Sequence, residues 1–204
     1  MQNTNIVFNT QKEKSVSLRS SSFQERRAKL QLLLKNFLEM EEEVLSALSS
    51  DLGKSKTEAL LAEIYGVKSE AKFAIKNIKG WMKAKRVASP LAISFTKSWV
   101  KPEPKGTVLI ISPWNYPIML CLNPLIAAIA SGNTAIIKPS ELTPASGKLV
   151  KKLVEKTFSP DEVAVFLGEK NLAKELLELP FNHIMFTGSP RVGKLVMEAA
   201  SKHL

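Results

Sequence analysis

The sequence predicts an α/β fold in which helices flank a parallel sheet. From residue 106 onwards, four short apolar runs alternate with helical patterns, at residues 107–112, 134–138, 163–167 and 183–187. Each run is apolar throughout, as strands buried on both faces are. The alternation of strand and helix indicates parallel strands joined by right-handed crossovers, a Rossmann-like sheet. Two long helical patterns and a proline-rich segment precede it.

Length and composition are those of one large globular domain or of a domain with an attachment. Of 204 residues, 45% are hydrophobic and 24% are charged. No apolar run reaches the roughly 18 residues of a membrane span. One cysteine and two histidines exclude a disulfide framework and argue against a protein-built metal site. The N-terminus lacks the apolar core of a signal peptide, so we expect a cytoplasmic protein.

The net charge of +10 is unevenly distributed. Between Glu70 and Glu103 there are eight basic residues and no acidic one. Such a patch would suit a nucleic acid. No helix-turn-helix or aromatic-interleaved pattern accompanies it, so we favour a solvated helix face followed by a linker and expect no nucleic-acid partner.

The first part of the chain is predicted to form two long helices. Ser22 and Glu25 have the spacing of a capping box, and Gly53 is expected to end the helical stripe that follows. The apolar positions of this stripe are Leu30, Leu33, Leu34, Phe37, Val44, Leu45 and Leu48. A second box, Ser55 with Glu58, opens a helix whose apolar seam suits packing along another helix. The seam comprises Leu60, Ile64, Val67, Ala71, Ala74, Ile78 and Trp81.

These changes of pattern divide the chain into three segments. Residues 1–89 form a helical region that packs on the sheet domain, residues 90–105 form a linker with an extended strand, and residues 106–204 form the sheet domain. Prolines in the linker suit an edge strand or an exposed turn. We therefore expect one or two strands there that lie outside the main core.

Candidate functional segments are the turns that follow the strands, because ligands of parallel sheets bind where the carboxyl ends of the strands meet. The sequence PWNYP (113–117) follows the first strand, and PSE (139–141) follows the second. The sequence TGSPRVGK (187–194) follows the last strand. We expect the three turns at one edge of the sheet.

The last of these turns has the chemistry of a phosphate site. Ser189 can cap the helix that follows, and Pro190 suits its first turn, as Thr143 and Pro144 do for an earlier helix. Free backbone N–H groups and the helix dipole favour an anion there, and Gly188 allows close approach. Taken alone, this spacing also fits an ordinary glycine-capped helix start.

The other two turns offer polar groups to a ligand. Lys138 donates and Glu141 accepts, so the pair could bind the two hydroxyls of a ribose. Asn115 lies in a turn stiffened by prolines, where its amide could serve as an oxyanion donor. A surface turn with a capping glutamate and ordinary turn chemistry at Asn115 are the structural alternatives.

Order and spacing of the three turns carry more information than each turn alone. The segments PWNYP, SGNTAIIKPSELTP and FTGSPRVGKLVMEAASKHL resemble three consecutive signatures of the aldehyde dehydrogenase superfamily, and most resemble its class 3 branch of fatty and aromatic aldehyde dehydrogenases. The resemblance extends from about residue 23 to residue 204. It implies the first part of that family's fold.

The resemblance also assigns roles to residues of this chain. Asn115 matches the asparagine whose side chain stabilises the oxyanion of the thiohemiacetal. The other matches imply contacts with NAD or NADP: Lys138 and Glu141 at the adenosine ribose, Gly188 and Ser189 at the pyrophosphate, Val192 near the adenine, and Ser112, Pro113, Trp114 and Ser140 as further cofactor-binding residues. No metal site is implied. NAD is slightly favoured, because Glu141 would repel a 2′-phosphate.

Partners follow from the same resemblance. Residues 97–105 match a strand that reaches across to a neighbouring subunit, so a homodimer or another homo-oligomer is expected. The substrate implied for the full-length enzyme is a small-molecule aldehyde.

The family's nucleophilic cysteine and general-base glutamate lie downstream of the helix that ends this sequence. Cys121 lies in the apolar stretch PIMLCLNPLIAAIA and is expected to be an inert, structural thiol. We therefore expect the cofactor-binding part of an NAD(P)-dependent aldehyde-oxidising enzyme, truncated before its catalytic domain and inactive alone. The alternative is a non-catalytic dinucleotide-binding fragment.

Overall fold

The computed structural model describes residues 3–203 and places a parallel sheet between layers of helices. The helical elements are α1 (Thr4–Leu18), α2 (Phe23–Glu39), α3 (Glu41–Leu52), α4 (Lys56–Glu58), a π-helix (Ala59–Ile64), α5 (Tyr65–Trp81), a 3₁₀ turn (Leu91–Ile93), α6 (Met119–Ser131), α7 (Pro144–Thr157), α8 (Lys170–Leu177), α9 (Pro190–Ala200) and a final 3₁₀ turn (Ser201–His203). The strands are β1 (Lys85–Val87), β2 (Ser98–Val100), β3 (Thr107–Ile111), β4 (Thr134–Lys138), β5 (Val163–Val165) and β6 (His183–Phe186).

The main sheet has four parallel strands in the order β5-β4-β3-β6. Strand β4 is buried along its whole length and β3 along nearly all of it, which explains their continuously apolar sequences. Ile111 pairs with Lys138 on one side and with Phe186 on the other. The predicted α/β fold with a parallel sheet is confirmed, and the carboxyl ends of β3, β4 and β6 lie level.

The N-terminal part differs from the two long helices expected from the sequence. Helix α1 is an additional element, and the helical stripe of residues 23–52 is broken at Met40 into α2 and α3. Helix α1 packs on the sheet partly through a polar side chain, since buried Gln11 donates to the carbonyls of Ala135 (3.1 Å) and Pro160 (3.0 Å). A polar residue on a buried face conceals the apolar periodicity that would reveal the helix.

Two of the predicted caps form as expected and a third does so in part. Ser22 and Glu25 bond reciprocally at the start of α2, and Gly53 ends α3 in the left-handed conformation with φ 63°. Ser55 accepts from the Glu58 amide, but the return bond of a full capping box is not found among residues 3–203. The short α4 continues through the π-helix into α5, which packs against α2 and α6. The seam is buried from Ile64 to Ile78, whereas Trp81 at its end is exposed.

The start of α7 is capped differently from the sequence expectation. Pro144 occupies the first turn as predicted, but the Thr143 hydroxyl is buried and finds no partner among the described residues. The Asp51 carboxylate takes its place, accepting from the amides of Ala145 (3.1 Å) and Ser146 (2.7 Å). The cap therefore comes from the end of α3, far away in the sequence.

Residues 85–100 form a separate antiparallel ribbon of β1 and β2. Strand β2 agrees with the expected extended segment outside the main core, whereas β1 lies within residues 1–89, which we expected to form a helical region. Side chains of the ribbon and its connecting loop are largely exposed, including Leu91, Phe95 and Trp99. Among residues 3–203, no helix has both the length and the hydropathy needed to cross a bilayer.

A substitution at Phe8 tests whether α1 is an integral part of the core. Phe8 is buried and contacts Phe181 edge-on at 4.9 Å between ring centroids, whereas Ile6 of the same helix is exposed. Phe8→Ala should lower the free energy of unfolding by about 3 kcal/mol. Ile6→Ala, the matched control, should change it by less than about 0.5 kcal/mol. If a denaturant titration gave the same loss of stability for both variants, α1 would not be packed on the sheet.

Acid should destabilise the fold. The backbone hydrogen bond from Ser22 lowers the pKa of Glu25 below its ordinary value of 4.5. Hydrogen bonds from Lys156 and from Ser159 likewise lower the pKa values of Glu39 and Asp161. These pKa values are lower in the folded chain than in the unfolded chain, so the ionised carboxylates stabilise the fold at any pH above their unfolded pKa values. This stabilisation is lost as the pH falls through the folded pKa values.

The free energy of unfolding should therefore fall as the pH is lowered from about 5 to about 3. Glu25→Gln should make this pH dependence shallower, because it removes one of the contributions. Denaturant titrations at a series of pH values measure both effects, and a stability that rises on acidification would contradict the assignment.

Candidate cofactor and oxyanion site

Three polar turns leave the sheet at one edge, as the register requires. The Ser112 amide donates to the Lys138 carbonyl at 3.2 Å, and the Thr187 amide donates to the Ile111 carbonyl at 3.1 Å. These bonds continue the pairing of β3 with both neighbours for one step beyond the strands. The turns that begin at residues 112, 139 and 187 therefore start side by side.

A cavity of about 520 Å³ lies at this edge, between the sheet and helices α8 and α9. Five of the predicted cofactor-binding residues line it, namely Ser112, Lys138, Ser140, Glu141 and Val192. Its apolar wall includes Ala173, Leu177 and Leu195, and its rim carries Lys170, Lys174, Arg191 and Lys202. A cavity with one apolar wall and a polar, mainly basic rim suits a flat aromatic group attached to phosphates.

Lys138 and Glu141, which we expected to bind the hydroxyls of a ribose, form an ion pair with each other. The Lys138 ammonium donates to the Glu141 carboxylate; the lysine is buried while the glutamate side chain is 40% exposed. Burial is the largest single influence on the pKa of Glu141 and acts to raise it. The hydrogen bond and the charge of Lys138, together with a backbone hydrogen bond, outweigh burial, and the pKa is lowered. The carboxylate is therefore charged and retains acceptor capacity towards the cavity.

The turn at Gly188 and Ser189 opens α9 as the sequence predicted. The Ser189 hydroxyl accepts from the Val192 amide at 3.4 Å. A side chain at Gly188 would collide with the ring of Phe186, since an added Cβ would lie 2.5 Å from it. Neither residue lines the cavity, but Val192, one helical turn along, does. The start of α9 therefore adjoins the cavity.

The helices that follow the three turns differ in how their N-termini are satisfied. The Glu63 carboxylate accepts from the amides of Ile118 (3.0 Å) and Met119 (2.9 Å) at the start of α6. Asp51 does the same for α7. At α9, within residues 3–203, Ser189 is the capping group and no carboxylate accepts from the first amides. Of these three N-termini, α9 is thus the one open to an added anion.

Asn115 lies in the exposed turn between β3 and α6. Its carbonyl accepts from the Lys54 ammonium at 2.8 Å, while its side-chain amide makes no hydrogen bond to the described residues. Pro113 and Trp114 lie in the same turn, outside the cavity that Ser112 lines. The structure thus brings five predicted residues into one cavity, Gly188 and Ser189 beside it, and Pro113, Trp114 and Asn115 into the adjoining turn.

Sequence reasoning missed three residues that hold the site together, namely Asp51, Lys54 and Glu63. Glu63 is fully buried beside the apolar seam of the π-helix and α5. An acidic residue directly preceding Ile64, in an otherwise apolar helix start, was the available signal. The cations of α8 and α9 that line the cavity were also missed.

Cys121 is a buried structural thiol, as predicted. Its side chain is fully buried in α6, and this burial raises the pKa from 9.0 to about 12. A thiol in that environment has little nucleophilic character.

Comparison with known proteins shows which family this chain belongs to. The family model described as "Aldehyde dehydrogenase family" matches residues 2–204. The chain belongs to the aldehyde dehydrogenase family. The chain is 47% identical over 197 residues to 4,4'-diaponeurosporen-aldehyde dehydrogenase of Staphylococcus aureus, covering 97% of this chain and 41% of that protein. It is also 40% identical over 205 residues to mouse aldehyde dehydrogenase family 3 member B3, covering 100% and 41% respectively.

Solved aldehyde dehydrogenases share the fold. A substrate-bound structure of Staphylococcus aureus AldH superposes with a TM-score of 0.96 at 43% identity, over 100% of this chain and 44% of that one. A betaine aldehyde dehydrogenase from the same species, in complex with NAD⁺, superposes at 0.88 with 22% identity, over 100% and 42%. The chain thus spans about two fifths of the length of the aldehyde dehydrogenases it matches.

The reactivity of Cys121 tests whether this thiol is buried and unreactive in the folded chain. A rise in pKa from 9.0 to about 12 lowers the thiolate fraction near neutral pH about a thousandfold. Iodoacetamide should therefore label the native chain extremely slowly and the guanidinium-unfolded chain at the rate of an ordinary thiol. Mass spectrometry measures the rate of labelling. If the native chain were labelled as fast as the unfolded chain, Cys121 would be accessible and reactive.

Proposed function

We propose that this chain is the cofactor-binding part of an NAD(P)-dependent aldehyde dehydrogenase that oxidises an aldehyde to a carboxylic acid. The observation that carries the proposal is a cavity lined by the ends of β3 and β4 and by the first turn of α9, the helix that follows the neighbouring strand β6. Membership of the aldehyde dehydrogenase family supports it. We propose that the chain divides into a helical region (1–89), a linker with an extended strand (90–105) and the sheet domain (106–204).

The cavity provides separate positions for the adenosine and the phosphates. Lys138 and Glu141 would donate to and accept from the ribose hydroxyls, and Val192 would pack near the adenine. The free amides at Gly188 and Ser189 would bind the pyrophosphate. Ser112, Pro113, Trp114 and Ser140 would complete the cofactor contacts.

We propose NAD rather than NADP as the cofactor. Glu141 is charged, so a 2′-phosphate beside the ribose would meet a carboxylate. Solved structures of the same fold include one in complex with NAD⁺ and one described as an NADP-dependent enzyme, so the fold itself is compatible with either cofactor. The basic rim of the cavity attracts the pyrophosphate of either cofactor.

Asn115 is the chain's proposed contribution to the chemistry. The bound nicotinamide would supply the hydride acceptor. Asn115 would donate its side-chain amide to the oxyanion that forms when a nucleophile attacks the aldehyde carbon. Cys121 is too deeply buried to be that nucleophile. We propose that residues 1–204 alone do not turn over and that the remaining catalytic groups are supplied by further sequence; the alternative is a non-catalytic dinucleotide-binding module.

Assembly and location follow the same proposal. The exposed ribbon of β1 and β2, with residues 97–105, would pair with a second subunit in a homodimer or larger homo-oligomer. The proposed location is the cytoplasm, and the proposed substrate is a small-molecule aldehyde.

Cofactor binding is tested by calorimetry. The chain should release heat on titration with NAD, and Lys138→Met should weaken binding at least about tenfold, because a charge-assisted hydrogen bond to the ribose is lost. Lys156→Met is the matched control: Lys156 lies at the far end of α7 and pairs with Glu39. Absence of heat at millimolar NAD, or equal loss in both variants, would refute the proposed site.

A turnover assay tests whether residues 1–204 are catalytically active by themselves. Residues 1–204 should give no aldehyde-dependent NADH, because the one thiol is buried. NADH formation that persists in Cys121→Ala would refute the proposal that the nucleophile lies outside these residues.

A further inference from the structure

Lys54 and Glu63 form a buried ion pair beneath the Asn115 turn. The Lys54 ammonium lies 2.6 Å from Glu63 Oε1, and their side chains are 7% and 0% exposed. Burying two opposite charges is unfavourable unless their remaining hydrogen-bonding groups also find partners. The partners of this pair therefore indicate what the pair is for.

Within residues 3–203, the partners that the two side chains find beyond each other all belong to the segment 115–119. Glu63 Oε2 accepts from the amides of Ile118 and Met119. The Lys54 ammonium donates to the Asn115 carbonyl at 2.8 Å and lies 4.2 Å from the ring centroid of Tyr116. The two charges thus hold both ends of the turn between β3 and α6.

Local backbone irregularities place the two side chains. Glu63 lies in the π-helix, where the Tyr65 amide donates to the carbonyl of Leu60 five residues earlier. Gly53 ends α3 in the left-handed conformation directly before Lys54. Gly66 lets α5 approach α6 closely, since an added Cβ would lie 2.7 Å from Met119 Sδ. Two departures from regular helix therefore place the ion pair, and one close approach of two helices lies beside the end of segment 115–119.

We propose that Lys54 and Glu63 are positioning residues that hold the backbone of Asn115 in the one conformation from which its side-chain amide can donate to the oxyanion. This inference rests on the proposed role of Asn115. The pair does not touch substrate; it acts through the turn. Preorganisation of this kind matters because an oxyanion donor is effective only when it is already in place as the charge develops.

Asp51 provides an internal comparison. It lies at the end of α3, close in sequence to Lys54, and also caps a helix. Its bonds, however, go to the amides of Ala145 and Ser146 in α7. Loss of Asp51 should loosen the start of α7 and leave the Asn115 turn unaffected. Loss of the Lys54–Glu63 pair should do the reverse.

Hydrogen exchange on the whole chain, without cofactor or aldehyde, tests the proposal. In Lys54→Met, and in the neutral double variant Lys54→Met with Glu63→Gln, amide exchange in residues 114–119 should accelerate at least about tenfold, while residues 144–150 keep their protection. Lys54→Arg should restore the protection, because it keeps a cation over the Tyr116 ring. Asp51→Asn should accelerate exchange in residues 144–150 alone.

The side-chain NH₂ signals of Asn115 in nitrogen-15 spectra provide a readout specific to positioning. They should move and broaden in Lys54→Met, stay near their wild-type positions in Asp51→Asn, and return in Lys54→Arg. Unchanged Asn115 signals and unchanged exchange in 114–119 in both Lys54 variants would overturn the proposal. Exchange that accelerates equally in both segments would also overturn it, since it would show a general loss of stability.

These measurements need neither cofactor nor turnover. A chain that fails to bind NAD would refute the proposed function and leave the exchange and NMR results to be judged separately. A chain that binds NAD but shows no local effect at residues 114–119 would refute the positioning role alone.

Discussion

The parallel pairing of β3 with both β4 and β6 is the constraint on which the rest of the molecule depends. Because Ile111 pairs with Lys138 and with Phe186, three strands end at one level. Their following turns must then leave the sheet side by side, whatever their own sequences are. The apolar burial that stabilises these strands thus also determines where the polar turns meet.

A second consequence of that geometry concerns the N-termini of helices, because each of the three turns leads directly into a helix. Two of the N-termini are satisfied within the protein, α6 by Glu63 and α7 by Asp51. Asp51 lies at the end of α3, and Glu63 lies in the π-helix that precedes α5. The N-terminal helices therefore do more than cover the sheet: they satisfy two helix starts that would otherwise attract anions, and the start of α9 beside the cavity is left open.

Elements that depend on local sequence could be predicted, and those that depend on distant partners could not. The four apolar runs became the four strands, and Ser22 with Glu25 formed its capping box, because these signals act within a few residues. Helix α1 escaped prediction because Gln11 is buried by bonding to Ala135 and Pro160, which are remote in the sequence. The expected cap at Thr143 was wrong for the same reason: Asp51 reaches the α7 amides from another helix. The three turns were recognised, but the Lys54–Glu63 pair beneath one of them was not, since its function is visible only when segment 115–119 lies against it.

The central claim is that three turns, far apart in the chain, form one dinucleotide site. The most direct measurement is an NMR titration of the isotope-labelled chain with NAD, following backbone amides over the whole sequence. The account predicts that amides in segments 112–115, 138–141 and 188–193 shift together with a single dissociation constant. Shifts confined to another face of the molecule, or different dissociation constants for the three segments, would contradict it.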